Sequence, residues 1–274
     1  MNKKFNAAPL PFQGQKRRFA KKFNEALDTF PKQATYVDLF GGSGLLAQIV
    51  KQKYPTANVV WNDYDNYYKR IKAIPQTNIL LAKLRVLTDG IERKKKVPTL
   101  IKDKLLEVVK CHQNEFGYVD YITLSGSLLF SAKYVLDFDG LIKETFYNRV
   151  KKSDYNADGY LVNVERVSND YKVLFDQYKS DSTIFLIDPP YLSTDTTTYN
   201  SDSYWKLRDY LDVLSVLDDS RYFYFTSNKS QVVELCQWIE TRTSFGNPFE
   251  GSTISTTATQ INRNSKYIDM MLYK

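Results

Sequence analysis

Three short stretches of this 274-residue chain are almost wholly apolar, and each carries an acid at or near its end. They are "ATYVDLF" (34–40), "ANVVWND" (57–63) and "TIFLID" (183–188). Continuous apolar runs of this length read as strands buried on both faces of a sheet. Helical spacing follows the first in "LLAQIVKQKY" (45–54), closed by Pro55. Strand, "GGSG", helix and strand therefore predict a βαβ unit with a glycine-rich first turn. From 64 to 177 the pattern is long, polar and helical, with a break at "KVP" and another around "GYVDYITLSGS". Inside it, "YITLSGSLLFSAKY" (121–134) reads as a hairpin or loop, or equally as plain core. After the 183–187 strand come a helix around 205–217, the strand "RYFYFTSN" (221–228) and a helix over 231–242. The tail alternates in "STISTTATQI" and "KYIDMMLY", which predicts a terminal antiparallel pair. The sum is an α/β fold, a doubly wound Rossmann-like sheet from residues 1–63 and 178–274. A mostly helical insertion, 64–177, interrupts it after the second strand.

Charge and composition narrow the classes. The net charge is +7, and residues 1–32 hold eight Lys or Arg against two acids. "ERKKK" (92–96) is a second basic cluster. Basic clusters neutralise phosphates, although each one alone is more often a solvated face. The 21 tyrosines suit base stacking as well as ordinary packing. No apolar run approaches the roughly 18 residues of a membrane span, and the basic N-terminus has no apolar segment of a secretory signal. Cys111 and Cys236 are far apart, without metal-ligand spacing, which reads as reduced thiols in a cytoplasm-like compartment. The single histidine, His112, reads as structural or surface. Metal chemistry and Ser-His catalysis both lack their usual parts.

Gly41-Gly42-Ser43-Gly44 between strand and helix lets backbone approach a ligand and points helix N–H groups at it. Asp63 falls 21 positions after Gly42, at the end of the second strand, where a carboxylate can accept ribose hydroxyls. Read as Gly42-x-Gly44-x-x-Ala47, the loop also fits a dinucleotide fingerprint. Asp38 lies inside a buried strand and needs a partner, which a cationic cofactor group or a loop N–H would supply. The third strand runs straight into Asp188-Pro189-Pro190-Tyr191. The Asp188 carboxylate and the Pro189 carbonyl offer two rigid acceptors, and Tyr191 offers a flat ring. Together they suit an exocyclic amine on a planar base, whose lone pair is freed for attack when both hydrogens are accepted.

With these motifs in place, "DLFGGSGLLA" and "DPPYLSTD" resemble the N6-adenine DNA methyltransferases of the Dam type, in the order glycine loop, recognition insertion, DPPY. "PLPFQGQKRRF" is similar to that family's N-terminal cofactor segment; Gly14 and Lys16 match, and Gln15 replaces a glycine. "WNDYD" matches through Asp63, "VSNDYKVLF" through Asp170 and Tyr171, and "INRNSKYIDMMLY" resembles the closing hairpin. The resemblance implies S-adenosylmethionine as cofactor, held by Phe12, Gly14, Lys16, Asp38, Phe40, Gly41, Gly42, Gly44, Asp63, Asp170, Tyr171 and Asp188. It implies catalysis by Asp188, Pro189, Pro190 and Tyr191 on an adenine flipped out of double-stranded DNA. The insertion would read the target, with Arg149, Lys151 and Lys152 of "FYNRVKKSDYN" on DNA and no metal. A prokaryotic or phage-encoded cytoplasmic enzyme is implied, solitary or within restriction-modification. The rivals are methyl transfer to cytosine N4, an RNA adenine or a glutamine, a nicotinamide-dependent dehydrogenase, and a DNA-binding protein without catalysis.

Overall fold

A computed structural model describes residues 4–130, 133–191, 206–218, 220–242, 246–262 and 265–274. In chain order its first elements are α1 (Ala20–Ala26), β1 (Thr35–Asp38), α2 (Leu45–Lys53), β2 (Asn58–Asn62), α3 (Tyr67–Lys72) and α4 (Ile74–Leu87). Then come α5 (Thr99–Phe116), α6 (Tyr121–Leu128), α7 (Phe138–Ile142), β3 (Glu165–Val167), α8 (Tyr171–Tyr178) and β4 (Thr183–Ile187). The chain closes with α9 (Leu207–Leu214), β5 (Arg221–Ser227), α10 (Val232–Arg242), β6 (Thr253–Asn262) and β7 (Ser265–Tyr273).

The residues form two compact units. The first comprises Met1–Ala8, Gly14–Asp65 and Gly159–Lys274; the second comprises Pro9–Gln13 and Asn66–Asp158. The first is built on a seven-stranded sheet in the order β3-β2-β1-β4-β5-β7-β6. Strands β1 to β5 are mutually parallel, and β7 runs antiparallel to both of its neighbours. The expected doubly wound α/β sheet is what forms, with the predicted terminal pair as β6 and β7.

Alternation along β5 shows why helices cover both faces. Phe223 and Phe225 point one way and meet Phe23 of α1, the nearer pair with ring centroids 4.8 Å apart. Tyr222 and Tyr224 point the other way, into a core with Leu174 and Phe175 of α8, Val213 and Leu214 of α9, and Val232 and Cys236 of α10. A strand buried on both sides can therefore read as "RYFYFTS", wholly apolar through its middle.

Chain direction splits at β1. The chain moves outward one way through β2 and β3, then returns to place β4 on the other side of β1. The ends of β1 and β4 thus flank a topological switch point, where open α/β sheets bind ligands. The short β3 and helix α8 belong to the sheet unit, because the second unit ends at Asp158. The apolar pattern gave no sign of β3, an edge strand whose Glu165 and Arg166 are exposed.

The second unit packs its helices around Leu81, Leu84, Leu105, Val109, Leu124 and Leu128. Residues 121–128 are the helix α6, not a hairpin or loop, and six of its side chains are buried. Asp120 caps it, accepting from the Thr123 N–H at 3.1 Å. A buried ion pair joins Arg70 Nε to the same carboxylate at 3.0 Å, and Arg70 Nη2 donates to the Pro11 carbonyl at 2.7 Å. That bond and Tyr67 Oη at Leu10 tie Pro9–Gln13 to this unit. His112 is buried beside Phe116, and burial pushes its pKa down, so it is a neutral core residue.

Candidate active site

The site of the sheet unit begins with the turn between β1 and α2. A side chain at Gly41 would place its Cβ 2.2 Å from Trp61 Cδ1 and 2.8 Å from the Asn62 carbonyl. Gly41 therefore exists to let the turn lie flat on Trp61. Gly44 caps α2 with φ of +74°, and its missing Cβ makes room for Leu161. Gly42 is the partly exposed glycine of the three, with φ of +44°. Gly41 and Gly44 thus serve packing beneath and behind the loop, which leaves Gly42 as its partly exposed glycine. The Ser43 carbonyl accepts from Tyr160 Oη at 2.9 Å, which holds the loop from its outer side.

Asp38 closes β1 at 1% exposure. Among the described residues neither carboxylate oxygen has a partner at hydrogen-bonding length. Burial and then the neighbouring Asp188 push its pKa well above the ordinary carboxylate range; the Ala47 N–H and the Lys16 ammonium act the other way. With only the Ala47 N–H and the Lys16 ammonium acting in its favour, this buried carboxylate at a strand's carboxyl end is what a bound cation would satisfy.

Asp188 follows β4 directly. Lys16 Nζ donates to its Oδ2 at 2.6 Å and to the Gly14 carbonyl at 2.8 Å. Gly14 has φ of +75°, the left-handed bend that turns Lys16 inward. The same ammonium lies 5.1 Å from the centre of the Tyr191 ring. Burial raises the Asp188 pKa to about 6 even though Lys16 pulls it down, with Asp269 adding a smaller push upward. Lys16, Asp38, Asp188 and Tyr191 are thereby brought together. Pro189 is buried and Pro190 partly buried between the last two. The chain after Tyr191, "LSTD" of the motif, lies outside the described residues, as do Trp205 and residues 263–264 of the closing hairpin.

The remaining predicted residues have other partners. Phe40 packs on Tyr171 with centroids 5.0 Å apart. Asp170 caps α8, accepting from the Lys172 N–H at 2.8 Å, and is exposed. Asp63 is fully buried, and Arg166 Nε donates to its Oδ2 at 2.7 Å, a partner the sequence did not suggest. Phe12 belongs to the second unit and lies edge-on to Tyr67. Asn62 is the residue that sequence reasoning missed. At 2% exposure, its Nδ2 donates to the Leu39 and Asn169 carbonyls, both at 2.9 Å, and its Oδ1 accepts from the Asn169 N–H. It ties the loop carrying Phe40 to the loop carrying Asp170. The signal that singled out Asp38, a polar residue inside a buried strand, was present for Asn62 too.

In the second unit, Arg149 Nη1 donates to the Leu129 carbonyl at the end of α6, at 2.9 Å. Lys151 Nζ donates to the Asp154 carbonyl and lies over Tyr155. Lys152 is exposed. Among the described residues no group of three His, Cys, Asp or Glu side chains could hold a metal, and no helix is long and apolar enough to cross a membrane.

Comparison with known proteins agrees with this geometry. A family model described as D12 class N6 adenine-specific DNA methyltransferase matches residues 12–234. A Haemophilus influenzae protein named "Putative methyltransferase" is 35% identical over 283 aligned residues, spanning 100% of this chain and 94% of the relative.

Proposed function

As this chain belongs to the D12 class N6 adenine-specific DNA methyltransferases, we propose that its methyl donor is S-adenosylmethionine, held at the β1–β4 switch point. The enzyme methylates adenine N6 in DNA. The observation that carries the proposed donor is the convergence of two carboxylates, Asp38 and Asp188, with a single ammonium, Lys16. Such a site calls for an additional cation. A pyrophosphate, as a nicotinamide cofactor would bring, would instead face both acids. Rivalry from a dehydrogenase therefore fails on electrostatics as well as on motif.

When bound, S-adenosylmethionine supplies an electrophilic methyl group on a sulfonium centre. Asp38 would accept from the donor's ammonium, Gly42 would give it close backbone approach, and Phe40 with Tyr171 would hold its adenine. Asp170 and Asp63 serve as acceptors at the periphery, Asp63 with its orientation set by Arg166. Asp188 and the Pro189 carbonyl accept the two N6 hydrogens of the target adenine, and Tyr191 stacks on its ring. Accepting both hydrogens leaves the nitrogen lone pair free to attack. Asp188 must be ionised for this role. Lys16 keeps it so near neutral pH, against a burial that would otherwise neutralise it. The second unit carries target recognition, with Arg149 and Lys151 shaping the segment and Lys152 exposed for contact.

Labelled S-adenosylmethionine incubated with unmethylated DNA, followed by nucleoside mass spectrometry, tests the whole reading. The expected product is N6-methyladenine. Label found only in N4-methylcytosine, RNA or protein would overturn it.

A further inference from the structure

The two basic segments of the second unit, separate in sequence, are joined in space. Residues 94–97 run antiparallel beside residues 146–148. The Lys94 N–H donates to the Asn148 carbonyl, the Asn148 N–H to the Lys95 carbonyl at 2.9 Å, and the Val97 N–H to the Phe146 carbonyl at 2.9 Å. Lys96 and Tyr147 form the β-bridge between them, and Arg93 Nη1 reaches the Val150 carbonyl. Four cations, Arg93 to Lys96, therefore share one ribbon with three more, Arg149, Lys151 and Lys152.

Two further observations separate this ribbon from an ordinary solvated face. First, Lys94 occupies the left-handed region at φ of +68°, at the tip of a turn closed by the Lys95 N–H on the Glu92 carbonyl. Glycine takes that conformation freely and lysine does not, so the turn holds an exposed cation at a conformational cost. Among the described residues no carboxylate lies within 4.0 Å of the Lys94 or Lys96 ammonium, whereas Lys95 pairs with Glu92. Second, an apolar ring stands beside the ribbon. Phe130 is 56% exposed and packs on Tyr147, the bridge partner of Lys96, with centroids 5.2 Å apart.

We infer that Lys94, Lys96 and the Phe130–Tyr147 pair form a duplex-DNA contact surface of the second unit. The two free ammonium groups neutralise phosphates, and the ring pair covers sugar and base edges. This rests on the reading that double-stranded DNA is the substrate. It also reassigns the backbone contacts from Arg149 and Lys151, which are spent on the unit's own carbonyls, to the neighbouring strand.

The test compares the full-length protein with Lys94→Gln/Lys96→Gln in binding a duplex over a range of salt concentrations. Each lost phosphate contact flattens the log–log salt slope by about 0.9. The double variant should therefore lose about 2 from the slope and roughly 50-fold in affinity at 0.1 M salt. The same neutralisation at Lys32 and Lys110, both exposed and outside the ribbon, should leave the slope unchanged. Phe130→Ala should weaken binding without altering the slope. Lys94→Gly should raise the melting temperature while weakening DNA as Lys94→Gln does; a purely structural turn would gain stability and keep its affinity. An unchanged slope in the double variant, with the parent protein binding the duplex, overturns the surface. A patch-dependent slope without any N6-methyladenine would uphold the surface and unseat the enzymatic reading instead.

Discussion

Replacing Asp188 by Asn should stabilise the protein while abolishing methyl transfer. Folding moves this carboxyl from an ordinary pKa of 3.8 to about 6, with burial as the largest cause. At 1.36 kcal/mol per pKa unit, the ionised form costs the folded state about 3 kcal/mol. The side chain is 17% exposed, so little of this is lost to solvent screening. Between the two pKa values the folded chain binds more protons than the unfolded one, so stability falls as pH rises through that window. The cost is absent below pH 3.8, builds towards pH 6 and is complete above it. Asparagine carries no charge and escapes the cost at every pH. The variant should therefore melt higher than the parent at pH 8, by about 5–10 °C. At pH 5 the gain should be about half that, and near pH 3.8 it should vanish. Thermal melts at these pH values, run beside the methyl-transfer assay, measure both effects. A variant no more stable at pH 8, or one with a gain independent of pH, would refute the electrostatic reasoning. Retained transfer would refute the role of Asp188 as acceptor.

Other residues make similarly direct tests. Activity of the parent enzyme should fall about tenfold per pH unit below roughly pH 6, as Asp188 becomes protonated. Lys16→Met removes the two effects that lower the Asp188 pKa, so the midpoint of that pH–rate profile should move upward; a fixed midpoint would show that Lys16 does not hold the carboxylate ionised. Asn62→Ala leaves the Leu39 and Asn169 carbonyls without their donor, which should cost about 1–3 kcal/mol in urea unfolding. It should also raise the KM for the methyl donor more than it lowers kcat, the reverse split arguing against a positioning role. Tyr191→Phe should transfer methyl groups far better than Tyr191→Ala; equal losses would transfer the role from the ring to the hydroxyl.

Much of the sheet was legible because buried parallel strands must be apolar throughout, as "TIFLI" is, and an acid at such a strand's end is conspicuous. β3 was not legible, because an edge strand of three residues with two charged side chains has no buried face to display. α6 stayed open between a hairpin or loop and plain core, because Ser125, Gly126 and Ser127 look like loop residues; the core alternative is the one that holds. Their small side chains instead let the helix bury almost all round, and Asp120 three positions before Thr123 was the capping signal to weigh. At the site, the motif residues were visible one by one. Which glycines serve packing was not, since that depends on Trp61 and Leu161 approaching from distant parts of the chain. The Arg166–Asp63 pair and the fusion of the two basic segments were hidden for the same reason: each links residues dozens of positions apart.

The tether formed by Pro9–Gln13 has a consequence for building hybrid enzymes. Exchange of target preference between relatives would be attempted most simply by grafting residues 66–158 from one chain into another. Such a graft would set Arg70 and Tyr67 against the recipient's own backbone at 10 and 11 in place of Leu10 and Pro11, one buried and one part-buried contact supplied by a segment more than fifty residues upstream. The exchangeable module is therefore two pieces of chain, and both must be transplanted together. Leu161, which fills the space left by Gly44, should stay with the recipient.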